Sequence, residues 1–322
     1  MATQRTEVAE QRGTGKYEQL LARCRDMAAV PTAVAHPCDD ASLGAAVEAG
    51  RAGIIAPILV GPAGKIRRVA EEWELDIAPY EIVEAPHSHA AAAKAVELVR
   101  LGRAELLMKG SLHTDELMSE VVKRDTGLRT ARRISHVFMM DVPTYHKVFA
   151  ITDAAINIFP TLEDKADIVQ NAIDFFVALG RERPKVAILS AVETINPKIP
   201  STIEAAALCK MAERGQIRGG ILDGPLAFDN AISAEAARIK KIDSPVAGDP
   251  DIVLVPDLEA GNMLAKNLTF LSRADAAGVV LGARVPIILT SRADNQRTRL
   301  ASCGVAALYA HVRAARAGAG EG

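Results

Sequence analysis

The chain holds only four cysteines, Cys24, Cys38, Cys209 and Cys303, too far apart for a CxxC pair or other metal-ligand spacing. Scattered single thiols suit a reducing compartment, and a cytoplasmic location is expected. No apolar run reaches the roughly eighteen residues that cross a bilayer. The most apolar region, Val279 to Leu289, is broken by Gly282, Arg284 and Pro286. The first residues lack the apolar centre of a secretory signal, so no membrane partner is expected. Aromatic residues make up only 4%, and with alanine abundant, close helix packing is expected rather than aromatic stacking. A formal charge of −2 argues against a nucleic-acid surface built on bulk positive charge. Other signatures are also missing: GxGxxG for a dinucleotide, HExxH for zinc and GxSxG for a serine hydrolase. The seven histidines have no ligand spacing, and no metal site is expected.

What remains is an ordinary globular composition, 49% apolar and 24% charged, over 322 residues. That length suits one large or two medium domains. Short apolar runs alternate with helix-like segments: a strand over Ile54 to Val60, a helix from Ser88 to Leu101, a strand over Leu106 to Met108. This alternation predicts βαβ units and a parallel sheet. Near Ser135 the pattern changes, and His136 to Val142 with Val148 to Ile151 reads as an antiparallel pair. Further on, strands are expected over Ala154 to Phe159, Lys185 to Ser190 and Ile252 to Val255. Helices are expected over Leu162 to Leu179, Asn230 to Lys240 and Leu258 to Thr269. Met1 to Gly15 is expected to fray, and the residues after Arg313 form an Ala/Gly-rich tail.

The chain is organised around VPIILTSRAD, Val285 to Asp294. Val285 to Leu289 suits a buried strand, followed by Thr290, Ser291, Arg292 and Asp294 and then a helix over Gln296 to Ala310. In open α/β sheets ligands bind outside the carboxyl ends of strands, where a hydroxyl, a guanidinium and a carboxylate can meet an anion. Ser291 or Asp294 capping the next helix is the competing explanation. Lys109, Gly110 and Ser111 follow another strand; the glycine permits close approach of a ligand, and the ammonium and backbone amides suit phosphate. An ordinary βα turn explains them as well. Arg132 and Arg133 precede the strand over Val137 to Val142, where they either clamp an anion or face solvent.

The loop from Asp223 to Asn230, DGPLAFDN, ends a strand, turns at Gly224–Pro225 and places Asp229 and Asn230 just before a helix. Capping accounts for one of those two, leaving a second carboxylate unexplained. In PDLEAGNML, Asp257 is a natural cap, but Gly261 and Asn262 suit a helix interior poorly and point to a backbone or amide needed near a ligand.

Taken together, MKGSLHTDELM, RRISHVFMMDVP, ITDAAINIFPT, ILDGPLAFDNAIS, SPVAGDPDIVLVPDLEAGNML and VPIILTSRAD resemble the phosphate acetyltransferase and phosphate butyryltransferase family, covering nearly everything after about His36. The resemblance implies two α/β/α domains of the isocitrate/isopropylmalate dehydrogenase-like type, with the active site in the cleft between them. One domain would join residues 1–142 to 289–322 and the other span 143–288. It implies the reaction of acyl-CoA with phosphate to give acyl phosphate and CoA, by direct attack in a ternary complex. Coenzyme A and its thioester are then substrates, with no permanently bound cofactor and a homodimer as the usual assembly. Ser291 and Arg292 match the family's catalytic pair. Acetyltransferase members carry a catalytic aspartate farther on, where this chain has Arg297–Thr298–Arg299; Asp294 is the expected substitute, with another cleft carboxylate or mainly electrostatic activation of the thiol as the alternatives. That departure leans slightly toward the butyryltransferase branch. Lys109, Ser111, Arg133, Ser190, Asp223, Asp229, Asn230 and Asn262 are the expected substrate-binding residues. Two other readings compete: a non-catalytic acyl-CoA or anion-binding homologue, and a decarboxylating 2-hydroxyacid dehydrogenase on a similar fold, which lacks a nucleotide signature.

Overall fold

The computed structural model describes residues 15–291 and 294–319; Arg292, Ala293, the first fourteen residues expected to fray and the last three lie outside the described residues. The first part of the chain is α1 (Lys16–Arg25), β1 (Val30–Ala35), α2 (Asp40–Arg51), β2 (Ile55–Gly61), α3 (Ala63–Glu72), β3 (Glu81–Glu84), α4 (Ser88–Arg100), β4 (Leu106–Lys109) and α5 (Thr114–Val121). Next come β5 (Ser135–Asp141), β6 (Phe149–Thr152), α6 (Leu162–Ala178), β7 (Lys185–Leu189), α7 (Pro200–Glu213), β8 (Ile221–Leu226), α8 (Phe228–Ile232) and α9 (Ala234–Ile239). The chain continues through β9 (Ile252–Leu254), α10 (Leu258–Phe270), β10 (Asp275–Leu281) and β11 (Ile287–Ile288), and finishes with α11 (Gln296–Ala319).

All the strands join one sheet in the order β3-β2-β1-β4-β11-β10-β5-β6-β9-β7-β8. The expected antiparallel pair is β5 and β6, with Val137 opposite Thr152. β1, β2, β3, β4, β11 and β5 run one way, and β10, β6, β9, β7 and β8 the other. The last strand returns to the first part of the chain, pairing Ile287 with Leu107, and α11 packs on α1 and α2.

Helices cover both faces, so two α/β/α units share this sheet, and the inner strands read as unbroken apolar runs. Their packing is unequal. On one face a single core runs the width of the molecule, through Val34, Ile55, Val137, Val279, Ile188 and Leu254. On the other, apolar packing divides into two masses, one around Leu107, Val280 and Leu289 and one around Met140, Ile151 and Val253. The division falls over β10 and β5, the strands common to both units.

Two expected elements differ, and one strand was not expected. Ala154 to Phe159 forms no strand, because the buried Asp153 carboxylate accepts from the backbone N–H groups of Ala155, Ile156 and Asn157 at 2.9, 3.0 and 3.3 Å and curls the segment. The helix expected over Asn230 to Lys240 is two helices, broken at Ser233, whose hydroxyl caps α9 through Ala236 N at 3.2 Å. β10 was hidden in DAAGVVL, where Ala276, Ala277 and Gly278 carry none of the β-branched signal of a strand. The Ala/Gly-rich tail continues α11 as far as Ala319.

At the amino ends of β6, β7 and β9 an ion network holds the second unit together. Asp249 meets Lys147 and Lys185, each at 2.8 Å, and His146 at 2.9 Å. Burial alone would raise the Asp249 carboxyl, but hydrogen bonds from Lys147 and Lys185 carry it well below the ordinary carboxylate range. A folded pKa below the unfolded one gives stability that is complete above the unfolded value and is lost as pH falls toward the folded one. Because Asp249 is 42% exposed, screening limits the effect. Asp249→Asn is expected to cost roughly 1 kcal/mol at pH 7. In urea melts the difference should shrink below about pH 4; a difference constant with pH would rule out this origin.

Candidate active site

β11 is only two residues long, shorter than the expected five, because the chain leaves the sheet at Leu289 and turns through Thr290 and Ser291. That turn closes on itself. Ser291 N–H donates to Asp294 Oδ2 at 2.7 Å, and Asp294 N–H donates back to the Ser291 carbonyl at 3.2 Å. Asp294 is therefore bound within its own turn, and the cap at the start of α11 comes instead from Asn295, whose Oδ1 accepts from Thr298 N at 2.8 Å. Burial raises the Asp294 carboxyl above its ordinary value; the Ser291 hydrogen bond and the charges of Arg299, Lys109 and Lys266 oppose that shift. These cations come from α11, β4 and α10, far apart in sequence.

A cavity of about 300 Å³ opens beside this turn. Lys109, Thr290, Ser291 and Arg299 line it, together with Asp39 and Ser42 at the start of α2. A groove of about 410 Å³ between α1, α6 and α11 is larger, but Met139, Phe176 and Val305 floor it and none of the Ser291 group faces it. Arg292, the expected partner of Ser291, is outside the described residues.

The Lys109–Gly110–Ser111 stretch divides its duties. Lys109 lines the cavity. At Gly110 a Cβ would stand 2.3 Å from the Ala35 carbonyl oxygen and 2.5 Å from that of His36. The backbone at the end of β1 is therefore sufficient to require the glycine. Ser111 Oγ donates to the His36 carbonyl at 2.8 Å and meets His36 Nδ1 at 3.0 Å, fixing a residue with the left-handed φ of 54°. Its hydroxyl is thus engaged in shaping that turn.

Of the remaining expected residues, Arg133 precedes β5 and the others lie in the second unit. Because its parallel strands run opposite to those of the first, their carboxyl ends leave the sheet at the other end. There Ser190 Oγ pairs with Ser201 Oγ at 2.8 Å, and Asp229 binds Lys240 at 3.1 Å. Asn230 is fully buried, with Nδ2 donating to Glu193 at 3.3 Å and Oδ1 unpartnered among the described residues. Asp229 and Asn230 sit inside α8, not before it, and Asp223 accepts from Gly224 N at 2.9 Å. Arg133 is tied to Asn157 at 2.7 Å and Asp164 at 3.4 Å. Gly261 lets α10 approach the Asp153 turn, since a Cβ there would meet the Asp153 carbonyl at 2.9 Å, and Asn262 donates to the Ala154 carbonyl at 3.3 Å.

From the second unit, α10 packs on β5 and β6 and contributes the Lys266 charge that acts on Asp294. Sequence reasoning missed Lys266, an unremarkable lysine in a helix, and passed over Arg299 while looking for a carboxylate. Near the division in the core lies His136, fully buried in β5, with both ring nitrogens unpartnered among the described residues. Burial pushes its pKa down to about 3, so the ring is neutral and packs edge-on to Phe138, centroids 4.3 Å apart.

Among the described residues no group of three His, Cys, Asp or Glu stands ready for a metal. Nor is any helix among them long and apolar enough to cross a membrane.

Residues 88–307 match the family model described as phosphate acetyl/butaryl transferase. The chain is 71% identical over 300 residues to a phosphate acetyltransferase of Rhizobium meliloti, covering 93% of this chain and 95% of that one. It is 42% identical over 294 residues to a phosphate butyryltransferase of Clostridium acetobutylicum, covering 91% and 98% respectively. Its fold is similar to the crystal structure of a branched-chain phosphotransacylase from Enterococcus faecalis V583, with TM-score 0.77 and 31% identity over 88% of this chain and 99% of that one.

The Gly110 geometry yields a direct check. Gly110→Ala must displace two carbonyl groups of the β1 end, and a loss of about 1–3 kcal/mol is expected from such overpacking. A thermal melt identical to that of the parent protein would show that the β1 end yields freely.

Proposed function

The chain belongs to the phosphate acetyl/butyryl transferase family and is a phosphate acyltransferase, and we propose that it exchanges an acetyl group between CoA and phosphate by direct attack within one ternary complex. The observation that carries the mechanism is the Ser291–Asp294 turn, in which a hydroxyl and a partly buried carboxylate share one loop beneath three positive charges. Acetyl is the preferred acyl group in this reading, supported by the greater identity to the acetyltransferase than to the butyryltransferase.

A free thiol of the cysteine type ionises near pH 8.5, so at neutral pH it needs a base to become an efficient nucleophile. Asp294 fills that role: ionised, it takes the CoA proton, and its raised pKa brings proton affinity closer to that of the thiol. The thiolate then attacks the carbonyl carbon of the acyl phosphate, and the carbon–oxygen bond to phosphate breaks as the tetrahedral intermediate collapses. In the opposite direction a hydrogen phosphate oxygen attacks the thioester, gives up its proton to Asp294 and forms the acyl phosphate as the carbon–sulfur bond breaks; CoA leaves as thiolate and takes that proton from Asp294.

Arg292 holds the phosphate dianion through paired charge-assisted hydrogen bonds, and Lys109 adds charge from the wall of the cavity. Ser291 Oγ hydrogen-bonds the sulfur. Fixing both substrates at near-attack distance supplies several kcal/mol of the barrier reduction.

The same reading takes residues 1–142 with 289–322 as one lobe and 143–288 as the other, supported by the pairing of β11 with β4 and the packing of α11 on α1 and α2. It includes a homodimer, supported by the exposed apolar side chains Phe159, Met263, Phe270 and Leu271. It also includes a cytoplasmic setting, supported by the unpaired Cys24, Cys38, Cys209 and Cys303.

Steady-state kinetics with acetyl-, propionyl- and butyryl-CoA test the whole reading, and kcat/KM should fall with chain length. Each added methylene changes discrimination by only about 1–3 kcal/mol; an optimum at butyryl-CoA would overturn the acetyl assignment. Arg292→Ala is expected to lower kcat/KM by on the order of 100-fold, with weaker phosphate binding, as loss of an oxyanion-type contact does. Unchanged kinetics would remove it from the mechanism. As a base, Asp294 must be ionised, so kcat/KM should rise with pH through a pKa above the ordinary carboxylate range. In Asp294→Asn that limb should vanish; a limb that persists acquits Asp294.

A further inference from the structure

Arg299 lies in the first turn of α11 and reaches back over the loop before it. Its Nη1 donates to the carbonyl of Ala41, in the first turn of α2, at 3.0 Å. Its Nη2 donates to the carbonyl of Ser291 at 3.4 Å. One guanidinium thus joins α11 and α2 to the residue whose hydroxyl enters the chemistry. It also walls two cavities, the one of about 300 Å³ beside Ser291 and another of about 480 Å³ along α2. Arg297, one turn-edge away, is committed elsewhere: it lies 3.8 Å over the Tyr17 ring and pairs with Asp275 at 3.2 Å.

We propose that Arg299 is the positioning residue of the active-site turn, its planar fork fixing the Ser291 carbonyl against Ala41 so that the Ser291 hydroxyl and Asp294 carboxylate keep one geometry. This rests on the acyltransferase reading of the same turn. The arrangement uses what distinguishes arginine, since a rigid fork donates to two oxygens on separate segments, while a lysine ammonium is a single point on a flexible stem. The turn needs such an anchor. β11 ends two residues before Thr290, so Ser291 lies beyond the strand pairing, and its carbonyl accepts from α11.

Arg299 has a second, electrostatic effect, and the two are separable. The charges facing Asp294 are Arg299 from α11, Lys109 from β4 and Lys266 from α10. On α2, the acids Asp39 and Asp40 line the same cavity. Arg299→Met removes both the fork and the charge; Arg299→Lys keeps the charge and removes the fork.

Both variants of the full chain are assayed with acetyl phosphate and CoA, and in reverse, across pH, beside thermal melts. In both, kcat is expected to fall roughly 10–100-fold, the cost of a small misplacement of reacting groups, with KM for CoA little changed. In Arg299→Met the acid limb of kcat/KM moves to higher pH, because one cation favouring the ionised carboxylate is gone. In Arg299→Lys the limb stays while kcat remains low, a split that general destabilisation does not produce. Parental kcat in Arg299→Lys overturns the positioning role, and if Arg299→Met fails to fold, Arg299→Lys alone decides. Failure of the parent protein to form acyl phosphate would strike the acyltransferase reading itself, a result distinct from any effect of Arg299.

Discussion

A carboxylate drawn partly out of water must be compensated, and the turn after β11 is arranged around that requirement at Asp294. Burial raises its pKa, while a backbone N–H and three positive charges pull the other way. The net result is a carboxyl with a raised proton affinity, held among cations. No single element achieves this. β4 supplies Lys109, α10 supplies Lys266 and α11 supplies Arg299, and the sheet order sets β4 directly beside β11.

The sheet makes that convergence possible through its change of direction. β10 is antiparallel to both neighbours and β5 is antiparallel to β6, three reversals in all, so the two sets of parallel strands send their carboxyl ends opposite ways. Polar groups at the far end, around Ser190, Asp229 and Asn230, therefore form their own bonded set. α10 packs on β5 and β6, and Gly261 permits its close seat on the Asp153 turn. A glycine that looked like a ligand contact in sequence turns out to set the depth of a helix.

Most of the fold was legible because it follows local rules. Apolar runs alternating with capped helices announced the βαβ units, and Asp257 capped α10 as its position suggested, accepting from Ala260 N at 2.9 Å. The misreadings share a cause. Ala154 to Phe159 looks like a strand until Asp153 is seen to gather three backbone donors, and DAAGVVL looks weak until neighbours on both sides supply its hydrogen bonds. Within the candidate site, the strand leading into Ser291 was legible from its apolar run, and the groups whose surroundings depend on tertiary placement were not. Nothing local marks Lys266 as facing Asp294 or Arg299 as joining α2 to the turn, and nothing local shows that Gly110 makes room for carbonyls.

The unequal packing of the two faces has a mechanical meaning. One face is welded across its whole width by a single apolar mass, while the other is parted over β10 and β5. Separating the halves would expose the continuous apolar mass of the first face, whereas on the second face β10 and β5 carry no shared apolar mass across the division. The two halves are thus fastened from one side only, and the cohesion of the molecule is lopsided across its thickness.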